Sequence, residues 1–478
     1  MNAFARSVTT LAATAVAMLG GAAAGWSADF SQWTDSTRVL LNTTPAGADV
    51  AADLNDFPVL VRMTAADFVF SEAKADGSDL RFADSAGTPL PFELERFDPV
   101  NKLAEAWVLP AKVKGDNSAQ GFRMYWGNSG ATSLSSGPAV FPSSGNFAGI
   151  WHLGEDGGNA AGGYKDASSY ANHGTGLNMT AASDVAGAIG TAANFLSASS
   201  QGVSAPHNAS LHPTGNLTLE AWIKSTSQGS YKRFINKPFS AIAPPWNEYS
   251  LESDVTGSKA VFSLTLAGGQ NSVVGTTDMA NGTWYHVVGT YDGTFEKVYV
   301  NGALEGTLTI SGAVSDYGQA VSIGKYGLDN NSNFDGAVDE ARISLVARGA
   351  DWIKLCYANQ RPDQKMVTYQ RFAQCQSQFT TPKDTTVDEG SVVSLKAKVE
   401  CAASYSWSAV SGPAPQMLDP EVKVLNVNMP RVAGDTAIVY RFSADIGGSM
   451  HTGDVRVSIK EAIPDPVFTL PAGLSWNS

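Results

Sequence analysis

Cysteine is scarce in this 478-residue chain, which holds only Cys356, Cys375 and Cys401. So few thiols exclude a disulfide-dense scaffold, and no C-x-x-C pair offers a thiolate metal site. Histidine is also rare, with 6 scattered residues. No H-E-x-x-H and no Ser-centred nucleophile elbow occurs, so two common hydrolytic designs are absent. Charged residues make up only 16% of the chain, and 45 acids outnumber 32 bases for a net charge of −13. A dispersed acidic surface argues against nucleic acid or anionic lipid as partners. Past the N-terminal segment there is neither a long amphipathic helix pattern nor an apolar run able to span a membrane.

What the chain does have is glycine (47 residues), tryptophan (11) and many short alternating runs, which point to β architecture. The N-terminus reads as an export signal. Arg6 precedes an apolar, Ala/Gly-rich stretch from Leu11 to Ala24. Ala22-Ala23-Ala24 suits cleavage better than Trp26-Ser27-Ala28, so residues 1–24 are assigned to the signal peptide. The protein is expected in the periplasm, at the cell surface or outside the cell.

The strongest pattern is Trp284 to Gly302, WYHVVGTYDGTFEKVYVNG. Period-two alternation on both sides of Asp292-Gly293-Thr294 predicts a β-hairpin. LTLEAWIKS (Leu217–Ser225) lies upstream, and VSIGKYG and NFDGAVDEARIS (Val321–Ser344) lie downstream. Together these segments resemble the laminin-G-like jelly roll of the concanavalin A-like lectin and glucanase superfamily, over residues 145–369. An earlier series, FPVLV (Phe57–Val61), DLRF (Asp79–Phe82), PLP (Pro89–Pro91) and YWGN (Tyr125–Asn128), resembles a bacterial β-domain of unknown function, placed at 25–132. The Ser/Gly/Pro stretch TSLSSGPAVFPSSG (Thr132–Gly145) reads as a linker between them. Residues 372–462 resemble an immunoglobulin-like sandwich with Trp407 as core aromatic, and 463–478 open a further module or tail. The expected fold class is therefore all-β: a β-sandwich, a concanavalin A-like/laminin-G-like jelly roll and an immunoglobulin-like sandwich. Cys356, in the apolar run DWIKLCYANQ closing the jelly roll, reads as a buried thiol. Cys375 and Cys401 flank the start of the third unit and form the expected disulfide.

Lectin-fold glucanases use paired carboxylates on one strand, close to E-x-D-x-x-E. The nearest match is Glu252-Ser253-Asp254, with Gly257 where the second Glu belongs. Glu93 and Glu95 share a strand face without a third partner, and both pairs read as solvated. The chain is therefore expected not to be an enzyme, and a glycoside hydrolase is the less favoured reading. Oxygen-rich loops suit calcium. The resemblance implies a structural calcium held by Asp339, with Asp166 and Asn172 from YKDASSYANHG contributing. Because adjacent strand residues face opposite sides, Glu340 is expected to matter less. Tyr231, Trp246, Tyr249, Tyr326 and Asn330 lie in two loop regions suited to sugar contacts. The function expected is non-catalytic binding of a glycan or cell-surface polymer through the jelly roll. The alternative is a structural spacer or adhesion subunit of an envelope assembly linked to a proton-channel energising system, with envelope proteins as partners.

Overall fold

The computed structural model describes residues 29–155, 158–267, 269–329, 331–370, 379–399, 402–413, 424–446 and 449–461. The expected signal peptide, Cys375, Cys401, Asn330 and the 463–478 tail lie outside the described residues. Among the described residues, no helix is long and apolar enough to cross a membrane.

The first unit is a β-sandwich. Asp35–Leu41 and Gln120–Trp126 alternate buried with half-buried positions, turning Val39, Leu41, Phe122, Met124 and Trp126 inward. They pair in a four-stranded sheet ordered Val367–Gln370, Asp35–Leu41, Gln120–Trp126, Arg81–Ala83. A three-stranded sheet runs Val59–Thr64, Leu103–Val108, Phe92–Asp98. Side chains of both sheets fill one core around Phe57, Phe82 and Trp107.

The jelly roll follows. The predicted hairpin forms, with Tyr285–Tyr291 antiparallel to Phe295–Val300 and Gly293 at φ 88° in the turn. It lies in an eight-stranded sheet beside Leu217–Ser225, which in turn pairs with Gly336–Ser344. The opposing seven-stranded sheet runs Thr175–Leu177, Gly202–Ala205, Val321–Ile323, Arg233–Pro238, Asn247–Ser253, Ala260–Leu266, Gly269–Val274. Phe195, Phe234, Tyr249, Phe262 and Tyr291 fill the space between the two sheets.

The first unit and the jelly roll share a core, contrary to the expectation of a linker between them. The 132–145 stretch is no solvated linker: Gly137–Val140 forms a helical turn, and Val140 and Phe141 are fully buried with Trp107. DWIKLCYANQ, the apolar run closing the jelly roll, lies in the helix Ala350–Gln360. Trp352, Leu355 and Cys356 join the core of the first unit, while Ile353 joins Val288 and Tyr299 of the jelly roll. Its buried positions, Trp352, Ile353, Leu355, Cys356, Asn359 and Gln360, share one broad face, but the last two are polar, so the apolar stripe that reveals a helix in sequence is cut short. Its last carbonyls are capped by Arg62 of the first unit, which donates to the Asn359 and Arg361 carbonyls at 3.3 Å each and also to that of Gln360. Asn359 grips the Leu60 backbone with two hydrogen bonds of 2.7 and 3.0 Å. After the helix, Val367–Gln370 pairs with Asp35–Leu41 in the first unit's sheet. Cys356 is buried and free as expected, and burial pushes its thiol well above the ordinary range.

Charged residues line this seam. Arg342 sits 4.5 Å over the Trp107 ring and 2.5 Å from Glu340. Burial pushes Glu220 up, but the His286 hydrogen bond and the Arg342 charge outweigh it and hold the carboxyl at about 2. Glu93 and Glu95, expected in solvent, are instead turned into the seam, within 3.2 and 3.7 Å of His152. Burial pushes Glu95 up to about 8.

The third unit pairs Thr385–Asp388, Ser449–Lys460, Thr436–Ile446 and Ala402–Ser411 in one sheet, and Val392–Lys396 with Val424–Asn428 in another. Trp407 is buried there, 4.9 Å from the Phe442 ring, as expected of its core aromatic.

Two predictions arise from the buried groups. Phe141→Ala should cost about 3–5 kcal/mol, and limited proteolysis of the wild type should spare 132–145. Early cleavage there would show that the shared core does not hold the stretch. Glu296, fully buried in Phe295–Val300, has no partner for either carboxyl oxygen, and burial pushes it up from 4.5 to about 8. Below pH 4.5 the carboxyl is protonated in both folded and unfolded chains. Between 4.5 and 8 only the unfolded chain releases the proton, so stability falls by about 1 kcal/mol per pH unit. Glu296→Gln should therefore gain on the wild type as pH rises from 5 to 8 in urea titrations. A margin that stays constant would remove Glu296 as the titrating group.

Candidate functional site

Strand alternation gives the seven-stranded sheet an apolar inner face and a polar outer one. The registers place Thr175 opposite Ser204, Ser204 opposite Ser322, and Ser322 opposite Asn236. Asn236 then faces Ser250, Ser250 faces Ser263, and Ser263 faces Ser272. Directly opposed residues share a face, so one hydroxyl or amide from every strand forms an unbroken row across the sheet. Arg233 pairs with Glu252 on one side of it. On the other side, Thr265 donates to the Asn247 carbonyl at 2.6 Å. Ser263 and Ser272 meet at 2.7 Å, and Gln270 donates to Ser263 at 2.9 Å.

A loop covers the middle of the row. Between Lys325 and Phe334 the backbone drops onto the sheet at Gly327, where an added Cβ would meet Ser322 Oγ at 2.9 Å and Pro238 Cγ at 3.0 Å. Tyr326 anchors it, donating from its hydroxyl to the Trp246 carbonyl at 3.0 Å with Arg233 stacked 5.4 Å over its ring. Beneath and around this cover, the side-chain amides of Asn236, Asn247 and Asn333 are fully buried and have no hydrogen-bond partner on either atom. Buried amides of this kind ordinarily pair with another polar group or an ordered water.

The five residues expected to contact sugar do not form one platform. Tyr249 is excluded, because alternation turns it into the sandwich core, where its hydroxyl donates to the Leu211 carbonyl at 2.8 Å. Tyr326 is buried as the loop anchor. Trp246 and Tyr231 are exposed, at 38% and 47%. They flank opposite ends of the Arg233–Pro238/Asn247–Ser253 hairpin, about 20 Å apart at strand rise. Glu252 and Asp254 are both committed. Glu252 is held by Arg233 and by Ser250 at 2.9 Å, and Asp254 closes a turn through Thr256 and Ser258.

The expected calcium ligands are not gathered into one set either. Asp166 spends its carboxylate on the N–H groups of Ile150, Ser168 and Asn172 and on the Ser168 hydroxyl, at 2.6–2.8 Å. Asn172 donates to the Ala148 carbonyl and the Ser210 hydroxyl. Asp339 instead accepts the Ile189 N–H at 2.9 Å. Burial, with Glu340 and Glu95 nearby, pushes its carboxyl well above the ordinary range. Nor do Asp339 and Glu340 behave as alternating residues. The pairing with Leu217–Ser225 slips here, and Glu340 takes φ 52°, the geometry of a bulge. Both carboxyls consequently feel Glu95 and His152.

At one edge of the polar face, sequence reading missed a buried ammonium. Lys237 Nζ lies 2.7 Å from Glu248 and 3.5 Å from Asp316, with His212 2.8 Å from Glu248. Lys237→Met should cost about 3–5 kcal/mol, because it strands Glu248 in the interior. Adding Glu248→Met should recover most of that loss in chemical denaturation. A double variant as weak as the single would show that the pair is not what stabilises this corner.

Residues 197–354 match the concanavalin A-like lectin/glucanases superfamily, and residues 76–151 match a domain of unknown function, DUF2341. The second match runs through 132–145 into the first jelly-roll strand, as the shared core does. None of the curated proteins matches this chain. Among solved structures, the binding domain of Paraclostridial Mosquitocidal Protein 1 is 10% identical, covering 62% of this chain and 77% of that chain at a TM-score of 0.34. The binding domain of Botulinum neurotoxin DC in complex with sialylT is 12% identical, covering 62% and 72% at 0.32. Domain 4 of the GH43 extracellular arabinanase from Geobacillus stearothermophilus, in complex with arabinotriose, is 16% identical, covering 43% and 98% at 0.29. Scores this low say nothing about ligand or activity. The chain thus joins a DUF2341 domain to a laminin-G-like jelly roll of the concanavalin A-like lectin/glucanases superfamily.

Proposed function

We propose that this protein binds a glycan or similar hydroxyl-rich surface polymer outside the cytoplasm, across the outer face of the seven-stranded sheet, without chemistry of its own. The carrying observation is the row from Thr175 to Ser272, one neutral donor or acceptor per strand, of which Thr175, Ser204 and Ser272 reach the surface while Ser322, Asn236, Ser250 and Ser263 are buried. Neutral hydroxyls and amides suit sugar hydroxyls, and an exposed aromatic such as Trp246 suits the apolar face of a sugar ring. The match to a lectin-like superfamily supports a binding role. The commitment of Glu252 and Asp254 to Arg233 and to a turn supports a reading without catalysis. The spacer alternative draws its support from the buried seam, which couples two units as a stiff building block would need.

A glycan array on the full chain tests this, followed by calorimetry with any sugar that binds. Ser204→Leu, Ser272→Leu and Trp246→Ala should each weaken binding at least about tenfold while the circular dichroism spectrum stays unchanged. A blank array, or variants that bind as well as the wild type, would sink the proposal and leave the spacer.

A further inference from the structure

Three elements of the seam each bring one ligand atom to a common point. Glu95 comes from Phe92–Asp98, His152 follows Phe147–Trp151, and Glu340 sits at the bulge of Gly336–Ser344. His152 Nδ1 is 2.6 Å from Glu340 Oε1 and 3.7 Å from Glu95 Oε2. The three ligand atoms all lie within 4.8 Å of one another. We propose that this is a binding site for a divalent transition-metal ion of the zinc class, tying the first unit to the jelly roll, with Glu95, His152 and Glu340 as its protein ligands.

Each ligand is already oriented from behind. His152 Nε2 faces Glu93 Oε2 at 3.2 Å, the carboxylate–imidazole arrangement that fixes a metal-bound ring. Arg342 holds the other oxygen of Glu340 at 2.5 Å, and the Trp107 indole donates to Glu95 at 2.6 Å. The second, independent observation is Asp339. Beside the three ligands it feels the charges of Glu340, Glu95 and His152, and its Oδ1 is fully buried without a partner among the described residues, while Oδ2 takes the Ile189 N–H.

The charges also leave room for a dication. Glu105 is matched by Arg96 at 2.6 Å, and Glu220 has the charge of Arg348 beside it as well as that of Arg342. That leaves Glu93, Glu95, Asp339 and Glu340 facing Arg62 and Arg342. With the imidazole neutral, as a metal ligand must be, four negative charges meet two positive ones. One divalent ion closes the difference. One nitrogen and two carboxylate oxygens, with a fourth position open to water, suit zinc, or manganese next, better than calcium, which takes oxygen alone. The His212–Glu248–Asp316 cluster makes a useful contrast. Its centre is already filled by the Lys237 ammonium, so it is not expected to take an ion.

The test uses the untagged full chain, stripped with chelator and titrated with zinc chloride by calorimetry, with elemental analysis of the dialysed protein. One zinc per chain is expected, with the melting temperature raised by zinc, lowered by chelator and indifferent to calcium. His152→Ala should lose at least about 100-fold in zinc affinity and Glu93→Gln about 10-fold, while His212→Ala should change nothing. Should His152→Ala fail to fold, Glu93→Gln and the cobalt-substituted wild type, with the visible bands of a four-coordinate ion, still decide. A wild type that takes up no stoichiometric zinc and melts alike with zinc and chelator overturns the proposal. Loss of zinc in His212→Ala, but not in Glu93→Gln, overturns it equally.

Discussion

Arg342 is the residue on which the first two units jointly depend. Its guanidinium is buried between Trp107 of the first unit and Glu340 and Glu220 of the jelly roll. Phe141, from the stretch that joins them, closes a third side at 5.7 Å. Dehydrating a cation and several carboxylates is costly, and the arrangement is tolerable only with every partner in place. Either unit alone would expose part of this network to a surface that cannot complete it. The seam therefore selects one relative placement of two sheets, where an apolar contact would accept several. The helix Ala350–Gln360 adds to this, since its buried face belongs to two different cores and its C-terminal carbonyls are capped by Arg62.

That seam determines where a ligand can go. A jelly roll has two outer faces. The eight-stranded sheet gives much of its own to the first unit: Trp222 donates to Gln360 of the helix at 2.6 Å, and Glu220, His286 and Arg342 are all buried. The opposite sheet carries the polar row on its outer face, with the backbone at Gly327 packed over its middle. The two faces also differ in chemistry. The seam is rich in full charges, while the row is almost wholly neutral, with its ions set at the edges in matched pairs. Full charges that must be matched one by one fix a permanent contact. Neutral hydroxyls and amides can exchange water for a neutral ligand at little desolvation cost.

Much of the fold was legible because alternation is a local property. The Trp284–Gly302 hairpin, the all-β character and the core role of Trp407 all follow from period-two patterns around turn residues. What failed were places where two units cover the same segment. In the helix Ala350–Gln360, the buried face runs from Trp352, Ile353, Leu355 and Cys356 to the polar Asn359 and Gln360, so the 3.6-residue apolar stripe is too short to stand out. In 132–145, Ser, Gly and Pro have linker composition, yet Val140 and Phe141 are anchored by residues far away in sequence. The calcium set failed for another reason: Asp166 has a turn and a neighbouring strand to satisfy, and those local donors take all its lone pairs. Asp339 and Glu340 were read as alternating, and only the slip in pairing at the bulge shows that they are not.

The candidate sites were harder to read than the fold, for a single physical reason. A strand such as Asn247–Ser253, NEYSLES, shows that one face is polar, and that holds whether water, a ligand, a loop or another sheet covers it. All seven of its residues are buried, although Tyr249 faces the core and Ser250 the polar row. Phe92–Asp98, FELERFD, poses the same ambiguity, and there the cover is another unit bringing His152. Polar side chains require hydrogen-bond partners but do not specify who supplies them. The sequence therefore encodes the demand, and only the assembled sheets reveal the supplier. The amides of Asn236, Asn247 and Asn333 and Oδ1 of Asp339, buried without a partner among the described residues, belong to segments whose cover comes from elsewhere in the chain, which alternation within one strand cannot encode.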